Sequence, residues 1–338
     1  MKENRSIGLD IVRASAIIFV VSVHFFLNTK YYETPIVGAS MYIQTYIRMA
    51  CIMCVPLFLI LTGYLQKNKQ PSKSYFKKIL PILVIYLFYS LLCIIFRSTI
   101  LNERPGILNW LVSIGNFSAD SYSWYIQMYI GLFLLSPFLN VCYNNLKGKR
   151  HKTALVIIAL FMTAFPATFN GKFGGFINFP SSWQSIYPIT YYFIGCYINE
   201  FKPRIKKVQS LLLLFGIILL ETFIEIYGSH LNGQKFSSYV GGYDSLIITI
   251  EAVVFFLVFY DIALDNELIT KAISIISLLS LDIYLVSRIT DTIVYNQLFK
   301  HYFVSQERVI LFFMPTLLCT FSLAFIIASM RNKIIKVR

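Results

Sequence analysis

The strongest constraint on this chain is the recurrence of long, nearly uncharged apolar runs. Crossing the hydrocarbon takes roughly 20 apolar residues as helix. Backbone groups in lipid must bond within their own segment, so such runs are read as helices. Ten stand out: Leu9–Leu27, Thr45–Leu65, Ile79–Phe96, Ser123–Tyr143, Thr153–Phe169, Ser185–Glu200, Ser210–Gly228, Ser245–Leu264, Ile273–Tyr295 and Val309–Met330. The fifth and sixth are short and weakly bounded, so nine or eleven would also satisfy the pattern. Composition agrees, with 57% hydrophobic and 14% charged residues, against about a quarter charged in a soluble domain. Disordered, collagen-like and disulfide-stapled secreted chains are excluded on the same numbers. The expected fold is an all-α integral membrane protein of about ten transmembrane helices. It is read as a single membrane domain over residues 1–338, with short loops and no appended soluble domain. The first run is not a cleavable signal, because it carries Asp10, Arg13 and His24 with no small-residue cleavage site after it.

The net charge of +14 invites a nucleic-acid reading until the charges are placed. With the N-terminal side taken as inside, the inner segments hold 20 Lys and Arg, the outer segments 7, and the proposed helices 3. This excess sets both termini in the cytoplasm and makes the charge a topology signal, with no nucleic acid expected. Trp110, Trp124 and Trp183 then fall near the outer face, as interfacial anchors do. The stretch Gly106–Phe117 is too short to span and is expected to lie flat at that interface or re-enter. Two glycine-rich outer loops, Asn170–Gly175 and Gly241–Gly242, read as ordinary connectors, with a gate as the alternative. All six cysteines lie in apolar runs, where free Cys acts as a small hydrophobe. The Cys51/Cys54 pair has no second pair, so core packing is expected there and no metal site.

Ionisable residues inside membrane helices are costly and default to a functional hypothesis. In the first run Arg13 and His24 are 11 residues apart. At 100° per residue that is three turns plus about 20°, so both share one face, separated by about 16 Å along the axis. Arg13 therefore sits near the inner surface and His24 in the outer half. Asp10 can pair with Arg13 at i−3. The bland alternative is a snorkelling Arg13 and a His24 that bonds a neighbouring helix. Imidazole is suited to general-base work, since its ordinary titration lies near neutrality. Arg48 has a depth similar to His24. Glu221 and Glu225 share a face at i, i+4. Glu251 lacks a local partner, so a role with Arg48 or a substrate is expected. Arg288 and Asp291, at i, i+3, read as a satisfied structural pair. The basic stretch Ser72–Lys78, with Arg13, suits phosphate groups, although the inside excess of cations would supply its lysines anyway.

These residues resemble the integral-membrane acyltransferase family 3, which includes polysaccharide O-acetyltransferases. The likeness runs from about Ser6 to Val286, with the long intervening loops unmatched. Leu9, Asp10, Arg13 and His24 are similar to the family's first-helix pattern. Val55–Tyr64 (VPLFLILTGY) resembles its second-helix run, with Thr62 in place of the usual Ser. Tyr75–Pro81 resembles the basic loop before helix three, Lys standing where Arg is usual. Trp124–Tyr125 with Gly131 and Pro137, Gly195–Tyr197, and Ser277–Val286 resemble later signatures. Ser287 stands where a His often follows, which puts in doubt any catalytic role at that position.

The resemblance implies an enzyme of the cell membrane, multi-pass, that moves an acyl group, commonly acetyl, from cytosolic acyl-CoA to a hydroxyl of a surface or lipid-linked polysaccharide. No permanently bound cofactor is expected. The expected partners are acyl-CoA, the glycan acceptor and membrane lipid. It marks His24 and Arg13 as functional. In the mechanism expected, His24 is the general base, with an acyl-histidine left open. Arg48 polarises the thioester, Arg13, Lys77 and Lys78 hold the CoA phosphates, and Glu251, Trp124 and Tyr125 meet the substrate. The rivals are a glycan transporter or flippase, which would show two related halves with broken helices, and a scaffold whose buried charges serve packing only.

Overall fold

A computed structural model describes residues 6–170 and 178–335, and every element in them is helical. The helices are α1 (Ile7–Asn28), α2 (Ala39–Ile52), α3 (Cys54–Gln66), α4 (Lys73–Phe76), α5 (Leu80–Thr99), α6 (Ile107–Gly115), α7 (Trp124–Asn145), α8 (Gly148–Phe169), α9 (Tyr187–Phe201), α10 (Lys207–Leu231), α11 (Leu246–Phe259), α12 (Glu267–Leu278), α13 (Ser280–His301), α14 (Gln306–Val309) and α15 (Phe313–Ile334). Of the two glycine-rich loops, residues 171–175 of the first lie outside the described residues, as do Lys2, Arg5, Lys172, Lys336 and Arg338 of the charge count.

Each apolar run becomes a helix, but two of them break. The second run is α2 followed by α3, interrupted at Met53. Pro56 explains the break: it has no N–H for the Ile52 carbonyl four residues back, and its ring crowds that carbonyl. The ninth run is α12 followed by α13, bent by 68°. Here a tertiary contact holds the first piece, since Ser274 and Ser277 donate to the Asp10 carboxylate at 2.8 and 2.6 Å. Among the described residues, seven stretches are long and apolar enough to cross a membrane, or eight if α12 with α13 is one bent span. The short α9 and α11, with 15 and 14 residues, are not among the seven.

α1 is the hub. It packs on α2, α3, α11, α12, α13 and α15, and its apolar window is 67% buried, against 22% for α5 and α15. The outer faces of the peripheral helices expose Leu87, Leu91, Leu212, Phe223, Leu318 and Ile326. An apolar surface of that extent is what lipid solvates. α3 and α9 approach backbone to backbone at Gly63 and Gly195, where a Cβ would run into the Tyr192 and Ile60 carbonyls respectively.

Polar contacts tie the two ends. Arg331 of α15 grips Asp282 of α13 at 2.5 and 2.6 Å, and the Tyr89 hydroxyl of α5 donates to the same carboxylate. Asn140 of α7 donates to the carbonyls of Gln66 and Lys69 at 2.7 and 2.8 Å, covering C-terminal carbonyls that α3 leaves open. These contacts, with Asp10 on α12, gather the start of α1 and the end of α15 at one end of the bundle. At the opposite end the side chain of Gln306 in α14 donates to Gln44 in α2 at 2.8 Å. α6 lies on that end as a surface helix with no buried residue, its C-terminal Ile114 carbonyl accepting from the Tyr86 hydroxyl at 2.7 Å. Trp110, Trp124 and Trp183 are all at this end. The Gly241–Gly242 connector is pinned, because the Glu225 carboxylate accepts from the N–H groups of Tyr239, Val240 and Gly241.

Candidate active site

The shared face of α1 survives folding: Arg13 and His24 both line one cavity of about 260 Å³. Its walls are α1, α3, α7 and α13, and most of them are apolar or aromatic, including Phe58, Tyr125, Tyr129 and Tyr284. A wider cavity of about 680 Å³ opens at the terminal end, lined by Arg13, Lys69 and Lys202 as cations and by Asp10, Asn68 and Asn199. Arg13 and Leu65 belong to both cavities. The two therefore meet at Arg13, which lines both the polar mouth and the cavity that holds the imidazole.

His24 is buried, and its Nδ1 lies 3.0 Å from Oδ2 of Asp291 on α13. Neither atom has an aligned hydrogen bond, so the contact is close but oblique, as the catalytic contacts of empty sites often are. Asp291 is thus the partner of His24. The expected Arg288–Asp291 pair does not form among the described ion pairs, because α13 turns Asp291 inward to α1. The His24 ring lies 4.0 Å from that of Tyr122. Asn28, one turn beyond His24, donates to the Tyr122 hydroxyl at 2.8 Å and to the His24 carbonyl at 2.9 Å. Tyr122 itself is positioned by Asp120, whose Oδ1 accepts from the Tyr122 N–H at 2.9 Å. Oδ2 of Asp120 is buried without a hydrogen-bond partner among the described residues, and burial pushes this loop carboxyl up to about 6.

The other expected residues divide. Trp124 and Tyr125 line the His24 cavity, and Trp124 stacks on Tyr243 at 5.7 Å while staying 41% exposed. Lys77 and Lys78 are exposed and line neither cavity; Lys69 and Lys202 are the lysines at the mouth. Arg48 also lines neither. Its Nε donates to the Tyr32 hydroxyl at 3.0 Å and its guanidinium lies over Phe236 at 4.9 Å, in the Glu225 cluster. Glu251 is fully buried away from both cavities, its two oxygens and those of Glu221 lacking hydrogen-bond partners among the described residues. Sequence reasoning missed Tyr122, Asp120, Asn28, Lys69 and Lys202, and it gave Asp291 the wrong partner.

Chemically the arrangement offers an imidazole that lines the cavity and has a carboxyl group 3.0 Å from its Nδ1. Such a pair can accept a proton and return it. A buried histidine–carboxylate pair beside a cavity, inside helices walled by exposed apolar surface, is the arrangement of a multi-pass membrane protein with a candidate proton-transfer site. The family comparison makes the class specific. A family model described as an acyltransferase domain matches residues 6–329, nearly the whole chain, and the protein belongs to that family, acyltransferase family 3. It is a membrane acyltransferase. No curated protein and no solved structure was found to match it.

Proposed function

We propose that the protein carries an acyl group, acetyl in the first instance, from cytosolic acyl-CoA to a hydroxyl of a cell-surface or lipid-linked polysaccharide at the plasma membrane. The observation that supports this most is that Arg13 lines both the cationic mouth and the cavity that holds His24. CoA presents phosphates on one end and a thioester at the tip of a long thin arm. Arg13, Lys69 and Lys202 suit the phosphates. The largely apolar cavity suits the arm, whose tip would then lie beside the imidazole.

In the reaction proposed, Nε2 of His24 takes the proton of the sugar hydroxyl as the oxygen attacks the thioester carbonyl. The new C–O bond forms and the C–S bond breaks. The CoA thiolate departs and receives the same proton from His24, so no charge accumulates. Asp291 steadies the ring tautomer and the imidazolium. Trp124 and Tyr125 face the acceptor. Arg48 braces the connector beside the site through Tyr32 and Phe236, without touching the thioester. With the terminal end in the cytoplasm, α9 and α11 complete a bundle of about ten crossings.

The test is transfer of labelled acetyl from acetyl-CoA to surface glycan, assayed with the wild type and with His24→Ala. The variant is expected to insert normally and to lose transfer by at least about a hundredfold. Full transfer by an inserted His24→Ala protein would sink the proposal.

A further inference from the structure

A second pocket, of about 160 Å³, opens beside the site at the end away from the termini. It is lined by Arg97 and Cys93 of α5, Glu103, the 118–121 loop, and Arg288 and Thr292 of α13. Its two arginines differ. Arg97 is committed: Nε and Nη2 donate to Glu103 at 3.0 and 2.6 Å, Nη1 donates to the Ala119 carbonyl at 3.0 Å, and the guanidinium packs over Trp110 at 4.9 Å. The Arg288 guanidinium makes no hydrogen bond or ion pair among the described residues, its carbonyl alone accepting from the Thr292 hydroxyl at 2.8 Å. Its recorded contact is with the ring of Tyr122, at 5.7 Å. Asp120 faces it from the loop and Asp291 follows one turn on, but neither takes up its N–H groups. The result is a half-buried guanidinium fork, its donors unclaimed by the described residues, on the wall of a small pocket of mixed polar and apolar lining.

We propose that this pocket binds an anionic group of the acceptor glycan, a carboxylate or a phosphate, with Arg288 donating to its oxygens and the Arg97–Glu103 pair forming the opposite wall. The fork matches both oxyanions in geometry and charge. Tyr122 connects the pocket to the chemistry, since the ring that meets Arg288 also meets His24. A sugar anchored by its anion at Arg288 would present a neighbouring hydroxyl at Tyr122 and the imidazole. The inference rests on the glycan acyltransferase reading and narrows it to acidic glycans.

The test uses full-length protein in phosphatidylcholine nanodiscs and three tetrasaccharide probes: galacturonate, its carboxyl-reduced neutral form, and a phosphodiester-linked galactose oligomer. Wild type is expected to bind one of the two anionic probes at least about tenfold more tightly than the neutral one. Arg288→Gln is expected to lose that preference while keeping its affinity for the neutral probe. Arg288→Lys, which keeps the charge but loses the fork, is expected to fall between, and serves if the Gln variant does not fold. Equal binding of all probes by wild type overturns the inference. So does a preference unchanged in either variant, or one erased when phosphatidylglycerol is added to the discs, which would assign the anion to lipid. Acetyl transfer is measured in parallel. An Arg288-dependent preference without transfer would fault the glycan-transfer reading alone, and transfer without such a preference would fault this inference alone.

Discussion

At the scale of single residues, the site turns on which partner each buried charge finds. Arg13 and His24 were legible from sequence because one helix period places them on one face. Asp291 was not, because its nearest sequence neighbour of opposite charge is Arg288, while its actual partner lies on α1, 267 positions away in chain number. Tyr122 and Asp120 sit in a loop with no periodic signal at all. If Asp291 orients His24, Asp291→Asn should lower kcat by roughly a hundredfold or more, with KM for acyl-CoA nearly unchanged, in steady-state assays over acyl-CoA concentration. Asp120 carries a pH signature. Its folded-state carboxyl titrates near 6, above the ordinary 3.8, because burial disfavours the charged form. Between those two values the folded chain holds more protons than the unfolded one, so stability falls as pH rises from about 4 to about 6. Asp120→Asn keeps the acceptor to Tyr122 and removes the titration. Its thermal midpoint should be less pH-dependent across that window than that of wild type, in melts at matched ionic strength.

At the scale of elements, the apolar runs foretold where helices would be, and the misses were local breaks. Pro56 was visible in the sequence as a breaker within the second run, but only the folded chain shows the interruption falling at Met53. The α12–α13 bend has no comparable marker, since it follows from Asp10 reaching Ser274 and Ser277 across the bundle. The family-like Thr-Gly-Tyr and Gly-Cys-Tyr segments acquire a packing reason: Gly63 and Gly195 are where α3 and α9 touch. Gly63→Ala should separate these helices and destabilise the fold by about 1–3 kcal/mol. Gly216→Ala is the control, because a Cβ there meets nothing within 4 Å. Thermal melts in detergent should show a lowered midpoint for the first variant and no loss for the second.

At the scale of the whole molecule, the surplus of cations was readable as a topology signal, and the fold groups the start of α1, the end of α15, Lys69 and Lys202 at one end. The part that was not readable is the interior space. Periodicity says which side chains share a face, but not that α1, α3, α7 and α13 leave a cavity among them. The proposed orientation has a direct check. A cysteine at Lys73, at the terminal end, should react with a membrane-impermeant maleimide only after cells are opened. One at Lys235, at the other end, should react on intact cells. The reverse pattern would invert the bundle.

The adjoining of the two cavities at Arg13 has a further consequence. In the proposed reaction, the anchor for the donor's phosphates and the base that serves its thioester are carried by a single unbroken helix at the hub of the bundle. Peripheral helices can part or close without altering the span between them. On that proposal α1 would work as a caliper: it would measure the donor from its charged end, so the reacting carbon would be located by the length of the pantetheine arm, whatever acyl group hangs beyond it.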